Sequence, residues 1–242
     1  MSIEGPVESL YIEPEAPART REWPALELID VFKIYRSGPV ETVALRGLDL
    51  SVERGELVAV LGPSGCGKST MLALAAGLDT PSAGEVRVGG RSLTRATEPE
   101  LASYRARELA IVFQSDNLWP TLTAEENVAI SLRLAGHEAP ESAAVAALEA
   151  FGLAGRRTHR AAALSGGEQQ RVGIAAAAAR RATLVLADEP TGELDRENEG
   201  IVLDALAAVR RDHGSTVVVV THSGNVAAAA DRVVELRDGR VV

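Results

Sequence analysis

The sequence predicts an α/β fold with a mostly parallel sheet at its core, an antiparallel β part and an inserted helical subdomain. Two observations lead to this prediction. Short apolar runs alternate with helical patterns on both sides of a central region, as they do in proteins built on parallel sheets. Between about 92 and 160 the pattern changes to helices alone, which indicates the insertion. We therefore expect one ordered domain over 23–242 that carries a helical subdomain.

Before the insertion, the apolar residues alternate or cluster in short runs, as they do in half-buried strands. A glycine-rich loop interrupts this series, and a helical pattern follows it. The expected strands are 25–35, 42–52, 56–61 and 84–88, and the expected helix is 68–77.

Inside the insertion, helical patterns cover 98–108, 124–134 and 143–151, separated by turns at Trp119-Pro120 and 136–140. After 164 the alternation resumes. The expected elements there are buried strands at 183–187 and 216–220, a helix at 198–211 and a hairpin at 232–242 turning at Asp238-Gly239. The alanine run 175–179 predicts a buried helix, because Ala favours helices and its small side chain allows close packing.

Composition excludes several classes of protein. The chain has 25 Lys and Arg against 34 Asp and Glu, a net charge of −9, so we expect no nucleic-acid partner. A single cysteine excludes a disulfide framework. No apolar run reaches the ~20 residues that span a bilayer, and the N-terminus lacks a secretory pattern. We expect a cytosolic chain whose residues 1–22, with several Pro, Gly and acidic residues, form a flexible tail.

The glycine-rich loop has the phosphate-loop pattern GxxxxGK[ST] from Gly62 to Ser69, and we call 62–70 the P-loop. Its glycines let backbone N–H groups turn towards phosphate oxygens, and the following helix presents its positive end. Lys68 is expected to reach the β- and γ-phosphates of a nucleoside triphosphate, and the Ser69 hydroxyl to bind Mg²⁺.

A second motif is acidic: Asp188 and Glu189 stand together directly after the apolar run 184–187. Ligands bind at the carboxyl ends of strands in open α/β sheets. We expect Asp188 to hold Mg²⁺, directly or through water, and Glu189 to orient or deprotonate the attacking water.

A third motif is the Ser-Gly-Gly segment, 164–171, which reads LSGGEQQR. Its residues are typical of a helix start, with Ser165 as the cap and Gly166 and Gly167 in the first turn. Such a start attracts anions. A second phosphate-binding surface on a chain with one P-loop is reasonable if it serves the nucleotide of a partner.

In their order these motifs resemble those of the ATP-binding cassette (ABC) transporter ATPases, over about 25–242. The resemblance extends to VFQS at 112–115 and ADEPTG at 187–192, and looks closest to the subgroup serving lipoprotein release, macrolide-type export and FtsE-like cell division. It implies a P-loop NTPase fold of ABC type and ATP with Mg²⁺ as cofactors. The residues it implies for nucleotide binding are Tyr35, Gly62, Pro63, Ser64, Gly65, Cys66, Gly67, Lys68, Ser69, Thr70, Ser165, Gly166 and Gly167.

The resemblance also implies roles for isolated residues. Tyr35 would stack on adenine, Gln114 would contact Mg²⁺ or water, and Leu194-Asp195 would cross the dimer interface. His222 would contact the γ-phosphate and hold the water and Glu189 in place; without the resemblance it could be a core histidine. The implied catalytic set is Glu189, His222, Gln114 and Lys68, and the implied metal set is Ser69, Gln114 and Asp188.

Other residues carry alternatives. Cys66 could be redox-sensitive beside Lys68 or could simply fill the loop. Trp119 could anchor a membrane partner or pack inside its own subdomain. Ala176, Asp116, Glu193 and Ser223 differ from residues common in the family, which bears on the interface and coupling but not on ATP binding.

The function implied is the ATPase subunit of an ABC transporter. It would dimerise around two ATP with a second copy or a homologous subunit, and drive separate membrane-spanning permease subunits at the cytoplasmic face of the cell membrane. One alternative is an FtsE-like ATPase that regulates a membrane or cell-wall partner without transport. Another is a soluble ABC ATPase of DNA repair or translation.

Overall fold

The structure, a computed structural model, describes residues 23–192, 194 and 196–242. The predicted tail 1–22, together with Glu193 and Asp195, lies outside the described residues. The described strands are β1 (Leu26–Ser37), β2 (Val40–Val52), β3 (Leu57–Leu61), β4 (Ala83–Val88), β5 (Arg91–Ser92), β6 (Leu109–Val112), β7 (Leu184–Asp188), β8 (Thr216–Val220), β9 (Arg232–Arg237) and β10 (Arg240–Val241). The described α-helices are α1 (Lys68–Ala75), α2 (Glu98–Arg107), α3 (Ala124–Leu134), α4 (Pro140–Ala150), α5 (Gly166–Ala179), α6 (Arg196–His213) and α7 (Gly224–Ala229).

The predicted antiparallel part is a four-stranded sheet with the order β2-β1-β4-β5. Strand β1 pairs with β2 on one side and β4 on the other, so that Leu26 lies opposite both Val52 and Val88. These three side chains are at most 4% exposed. One face of the antiparallel sheet therefore contributes directly to the core.

The predicted parallel core is a six-stranded sheet with the order β10-β9-β3-β8-β7-β6. Strand β3 pairs in parallel with β8 and β9, and β7 pairs in parallel with β6 and β8. Only β10 runs antiparallel, closing the predicted hairpin with β9. The carboxyl ends of β3, β7 and β8 consequently meet at one edge. The P-loop follows β3 there, Asp188 ends β7, and His222 follows β8.

Strand β6 lies inside the region where the sequence predicted helices alone. It pairs with β7, with Leu109 opposite Leu184, and is mostly buried. Four apolar residues between two helical patterns cannot be assigned to strand or helix from periodicity. The short β5 and α7 were also not predicted. The limits of the helical subdomain, about 92–160, remain a prediction.

Helix α5 connects the two halves of the core. Ile174 and Ala177 pack with the apolar cluster formed by the parallel sheet and α6, whereas Val172 and Ala175 pack with α3 and α4. Both faces of α5 are thus covered, as predicted for the alanine run. Among the described helices, we find none with the length and apolar character needed to cross a membrane.

Candidate active site

The P-loop connects β3 to α1 and requires glycine where it touches other strands. A Cβ at Gly62 would lie 2.2 Å from the carbonyl oxygen of Leu236, and one at Gly67 would lie 2.6 Å from that of Ala44. Gly67 also has a φ of +108°, which side-chain-bearing residues rarely adopt. The loop is therefore held tightly between β2 and β9, while its tip at 63–65 is exposed.

Lys68 lies across the loop that precedes it. Its Nζ donates to the carbonyl oxygens of Gly62 at 2.7 Å and Pro63 at 3.0 Å. The ammonium group is thus held at the mouth of the P-loop, where it can exchange a carbonyl for a phosphate oxygen. Ser69, the next residue, is exposed at the start of α1. Cys66 is 5% exposed and packs in the core, which favours the loop-filling interpretation.

The two carboxylates stand at the carboxyl end of β7 as predicted, and Glu189 has an unusual backbone. Asp188 is the last residue of β7 and lies opposite Val220. Glu189 has a φ of +45°, and its N–H donates to the carbonyl oxygen of Val220 at 2.9 Å. Non-glycine residues in this region cost free energy and cluster at functional sites. The extended conformation of β7 therefore ends at Asp188, and Glu189 begins the turn that follows.

His222 meets Glu189 across the strand ends. Its Nδ1 lies 2.9 Å from Glu189 Oε2, and its backbone N–H donates to the same oxygen at 3.3 Å. The His222 side chain is 71% exposed, so it is not a buried core histidine. The structure therefore brings together two of the predicted catalytic residues, 33 positions apart in the chain.

Gln114 follows β6 and reaches the same region. A Cβ added at Gly192 would lie 3.4 Å from Gln114 Nε2 and 3.6 Å from Glu189 Cβ. Gln114, which follows β6, is therefore close to the turn that follows Glu189 at the end of β7.

Two amides that the sequence did not single out hold the segment around Gln114 on α5. Gln170 is 4% exposed, and its Nε2 donates to the carbonyl oxygen of Phe113 at 2.9 Å. Asn117 Nδ2 donates to Gln170 Oε1 at 2.9 Å, and Asn117 Oδ1 accepts from the Phe113 N–H at 2.7 Å. Buried amides are stable only when paired in this way. Their contacts span up to 57 residues, so no local signal could have found them.

The Ser-Gly-Gly segment begins α5 with the predicted cap. Ser165 Oγ accepts from the Glu168 N–H at 3.3 Å, and the Glu168 carboxylate accepts from the Ser165 N–H at 2.8 Å. This is a capping box. Ser165 and Gly166 are exposed, and a Cβ at Gly166 would meet no atom within 4 Å. The positive end of the helix is therefore open to an anion.

Tyr35 lies near the end of β1 and is 42% exposed. Its hydroxyl donates to Asp79 Oδ2 at 3.0 Å, and Lys33 Nζ lies 4.9 Å from its ring centroid. Burial raises the pKa of Asp79, but hydrogen bonds from Lys33, Thr80 and Tyr35 outweigh it, so that the net pKa is lowered. The Asp79 carboxylate thus holds the hydroxyl of Tyr35, whose ring remains accessible.

The donors near the P-loop suit Mg²⁺. Ser69, Asp188 and Gln114 offer oxygen atoms, which this hard cation prefers. Over 23–192, 194 and 196–242 there is no group of three or more His, Cys, Asp or Glu that could hold a metal ion.

Glu168 gives the start of α5 a pH dependence. A hydrogen bond from Arg156, reinforced by the Ser165 N–H, lowers the pKa of Glu168 from 4.5 to about 2. We expect Glu168→Gln to lower the free energy of unfolding at pH 7 by about 0.5–1 kcal/mol, because Arg156 is half exposed. A carboxyl whose pKa is lower in the folded protein stabilises the fold at pH values above its pKa in the unfolded chain. This contribution is lost as pH falls from about 4.5 towards about 2.

Urea unfolding of both proteins at pH 7 and pH 3 measures this dependence. The difference between Glu168→Gln and the wild type should be smaller at pH 3. Glu141→Gln is the comparison: its hydrogen bond with Arg133 also lowers the pKa of Glu141, but both side chains are more than half exposed, so its difference from the wild type should be smaller than that of Glu168→Gln. A difference that stays constant with pH would contradict the assigned charge contribution.

Comparisons with known proteins agree on one family. A family model described as ABC transporter matches residues 45–192. The lipoprotein-releasing system ATP-binding protein LolD of Geobacter metallireducens is 45% identical over 219 residues, which are 90% of this chain and 97% of the relative. The macrolide export ATP-binding/permease protein MacB of Brucella melitensis is 42% identical over 90% of this chain, which spans about a third of that relative (34%).

A solved structure is similar along the same length. It is the dimeric structure of a post-hydrolysis state of the ATP-binding cassette MJ0796 bound to ADP and Pi. Its sequence is 38% identical, the TM-score is 0.83, and the match covers 89% of this chain and 96% of that one.

Proposed function

The chain belongs to the ABC transporter family, in the subgroup of LolD and MacB, and from this premise we propose that it hydrolyses ATP to drive membrane-spanning permease subunits. The observation that carries the proposal is the meeting of three strand ends. They bring the P-loop, the Asp188-Glu189 pair and His222 to one edge of the sheet. That edge holds the groups that phosphoryl transfer to water requires.

Each group has a proposed role in hydrolysis. The P-loop N–H groups and Lys68 bind the β- and γ-phosphates, and Tyr35 stacks on the adenine. Ser69, Gln114 and Asp188 would hold Mg²⁺, which when bound neutralises phosphate charge. Glu189 accepts the proton of the attacking water or orients it.

His222 keeps Glu189 in place through its Nδ1 contact and lies where a γ-phosphate would arrive. The geometry supports this division of roles, because Glu189 is held by its backbone and by His222 while Asp188 belongs to the strand itself. In the family resemblance the same two residues divide metal binding and water activation.

We further propose that two copies of the chain, or this chain and a homologous subunit, close around two ATP. The open helix start at Ser165 and Gly166 would bind the γ-phosphate held by the partner's P-loop. Two shared nucleotides then supply the free energy of closure, and their hydrolysis removes it. The dimeric assembly of MJ0796 with ADP and Pi supports this arrangement.

The contact with the membrane subunits is proposed at a groove of about 320 Å³ between α3, α5 and the end of β6. We call it the Trp119 groove; among its lining residues Phe113, Trp119 and Leu134 are 45%, 52% and 65% exposed. Such exposed apolar side chains indicate an interaction site. A short cytoplasmic helix of a permease subunit fits it, which would place the chain at the cytoplasmic face of the membrane.

Trp119→Ala tests this contact. Because Trp119 is about half exposed, we expect the melting temperature of the isolated chain to change little. Co-purification with the membrane subunit and its stimulation of ATPase activity should fall, since truncating an aromatic anchor costs on the order of 2 kcal/mol. Val233→Ala is the control, because Val233 is 46% exposed on β9 and does not line the groove.

Two results would contradict the proposed contact. One is a large drop in melting temperature of Trp119→Ala with binding intact after correction for the folded fraction, which would make Trp119 a core residue. The other is equal loss of binding in Trp119→Ala and Val233→Ala. The identity of the membrane protein that co-purifies with the chain separates transport from regulation of a membrane partner.

A further inference from the structure

A carboxylate on α6 holds the loop that carries His222. Glu199, in the first turn of α6, accepts a hydrogen bond from Ser223 Oγ and one from Asn225 Nδ2, the latter at 2.8 Å. These two residues stand one and three positions after His222. We propose that Glu199 is a positioning residue for hydrolysis, which acts through the Ser223–Asn225 turn to hold His222 against Glu189. The inference rests on the role proposed above for His222.

The turn after His222 depends on this contact. Ser223 caps α7 by accepting from the Asn225 N–H at 3.2 Å, and its own N–H donates to Thr221 Oγ1 at 3.0 Å. Helix α7 has only six residues, too few to be stable without tertiary contacts. Glu199 supplies two such contacts, one to the cap residue Ser223 and one to Asn225 in the first turn of the helix.

His222 needs positioning from its neighbours. Its side chain is 71% exposed, so little packing restricts it. On the amino-terminal side Thr221 is fully buried and its N–H donates to the carbonyl oxygen of Val60 at 3.1 Å. On the carboxyl-terminal side, the hydrogen bonds from Ser223 and Asn225 to Glu199 hold the chain. The 2.9 Å contact between His222 Nδ1 and Glu189 thus depends on a backbone held at both ends.

Helix α6 is a firm support for this carboxylate. Val202 and Leu206 lie on its buried side, with at most 1% exposure. Asn198, the residue before Glu199, accepts from Arg171 Nη1 at 2.8 Å and lies so close to Gly167 that a Cβ there would be 2.7 Å from Asn198 Oδ1. The first turn of α6 therefore touches the Ser-Gly-Gly segment and the loop at His222 through adjacent residues.

The same contact favours Ser over Asp at position 223. An Asp at this position would place its carboxylate beside that of Glu199, and two neighbouring negative charges repel each other. The Ser hydroxyl instead donates to Glu199 and still caps α7. Ser223 and Glu199 therefore form a matched pair in this chain.

A double-mutant cycle tests the proposal in the full chain, with ATP turnover as the readout. We expect Glu199→Ala to lower kcat about tenfold with KM for ATP nearly unchanged, because a misplaced catalytic group slows the chemical step more than binding. Glu199→Gln, which keeps an acceptor oxygen and the shape, should recover most of kcat. In a His222→Ala background Glu199→Ala should have no further effect.

The outcomes distinguish this inference from the proposed role of His222. Losses that add in the double mutant, or a rise in KM alone, overturn the role of Glu199 and leave that of His222 intact. A wild-type kcat in His222→Ala overturns both. Should Glu199→Ala unfold, Ser223→Asp replaces it: kcat should fall when Glu199 is present and recover in Glu199→Gln, and absence of that recovery overturns the proposal.

Discussion

Glu189→Gln should lower the steady-state ATPase rate by about 100-fold or more while leaving ATP affinity nearly unchanged. Lys68 and Asp188 are intact in this variant, so phosphate and metal binding should persist. The amide cannot accept the proton of the attacking water, although it keeps the shape of the carboxylate. Because hydrolysis is what opens the dimer in this account, the variant should accumulate as a closed dimer in ATP.

Three measurements on Glu189→Gln check this expectation: ATP binding at equilibrium, a single-turnover hydrolysis rate, and the molar mass in ATP and in ADP by light scattering. Glu235→Gln is the control, since Glu235 is an exposed residue of β9 paired with Arg237. It should behave like the wild type in all three. Single-turnover hydrolysis near the wild-type rate in Glu189→Gln would contradict the role assigned to Glu189.

The parts of the site that the sequence predicted are those with local signals. The P-loop is a glycine-rich loop between an apolar strand and a helix, and the pair Asp188-Glu189 stands at the carboxyl end of a buried strand. Ser165 with Glu168 is a capping pattern of four residues. Each pattern is contained in one stretch of chain, so its structure follows from the residues themselves.

The parts that the sequence did not predict depend on contacts between distant segments. Strand β6 is too short to have a period of its own, and becomes a strand because β7 lies beside it. Gln170 and Glu199 look like ordinary polar helix residues. Only the tertiary fold brings Gln170 against Phe113 and Glu199 against Ser223. The meeting of His222 with Glu189 was predicted from family resemblance, not from spacing.

Ser165→Arg should lower the rate of ATP hydrolysis by about 100-fold or more, with little loss of ATP binding by the monomer. The reason is that Ser165 caps an exposed helix start whose proposed target is the ATP of the partner. An Arg there fills the open space in front of Gly166 and places a cation at the positive end of the helix. Equilibrium ATP binding and turnover on the same preparation check this, and a matched loss of both would contradict it.

Mixing Ser165→Arg with Lys68→Ala tests the shared active site most directly. A heterodimer of the two variants has one site that lacks both groups and one site that lacks neither. We expect the two nearly inactive proteins to regain activity when mixed, up to about a quarter of the wild-type rate per chain if pairing is random. A rate that stays at the level of the separate variants at every mixing ratio would contradict a composite site.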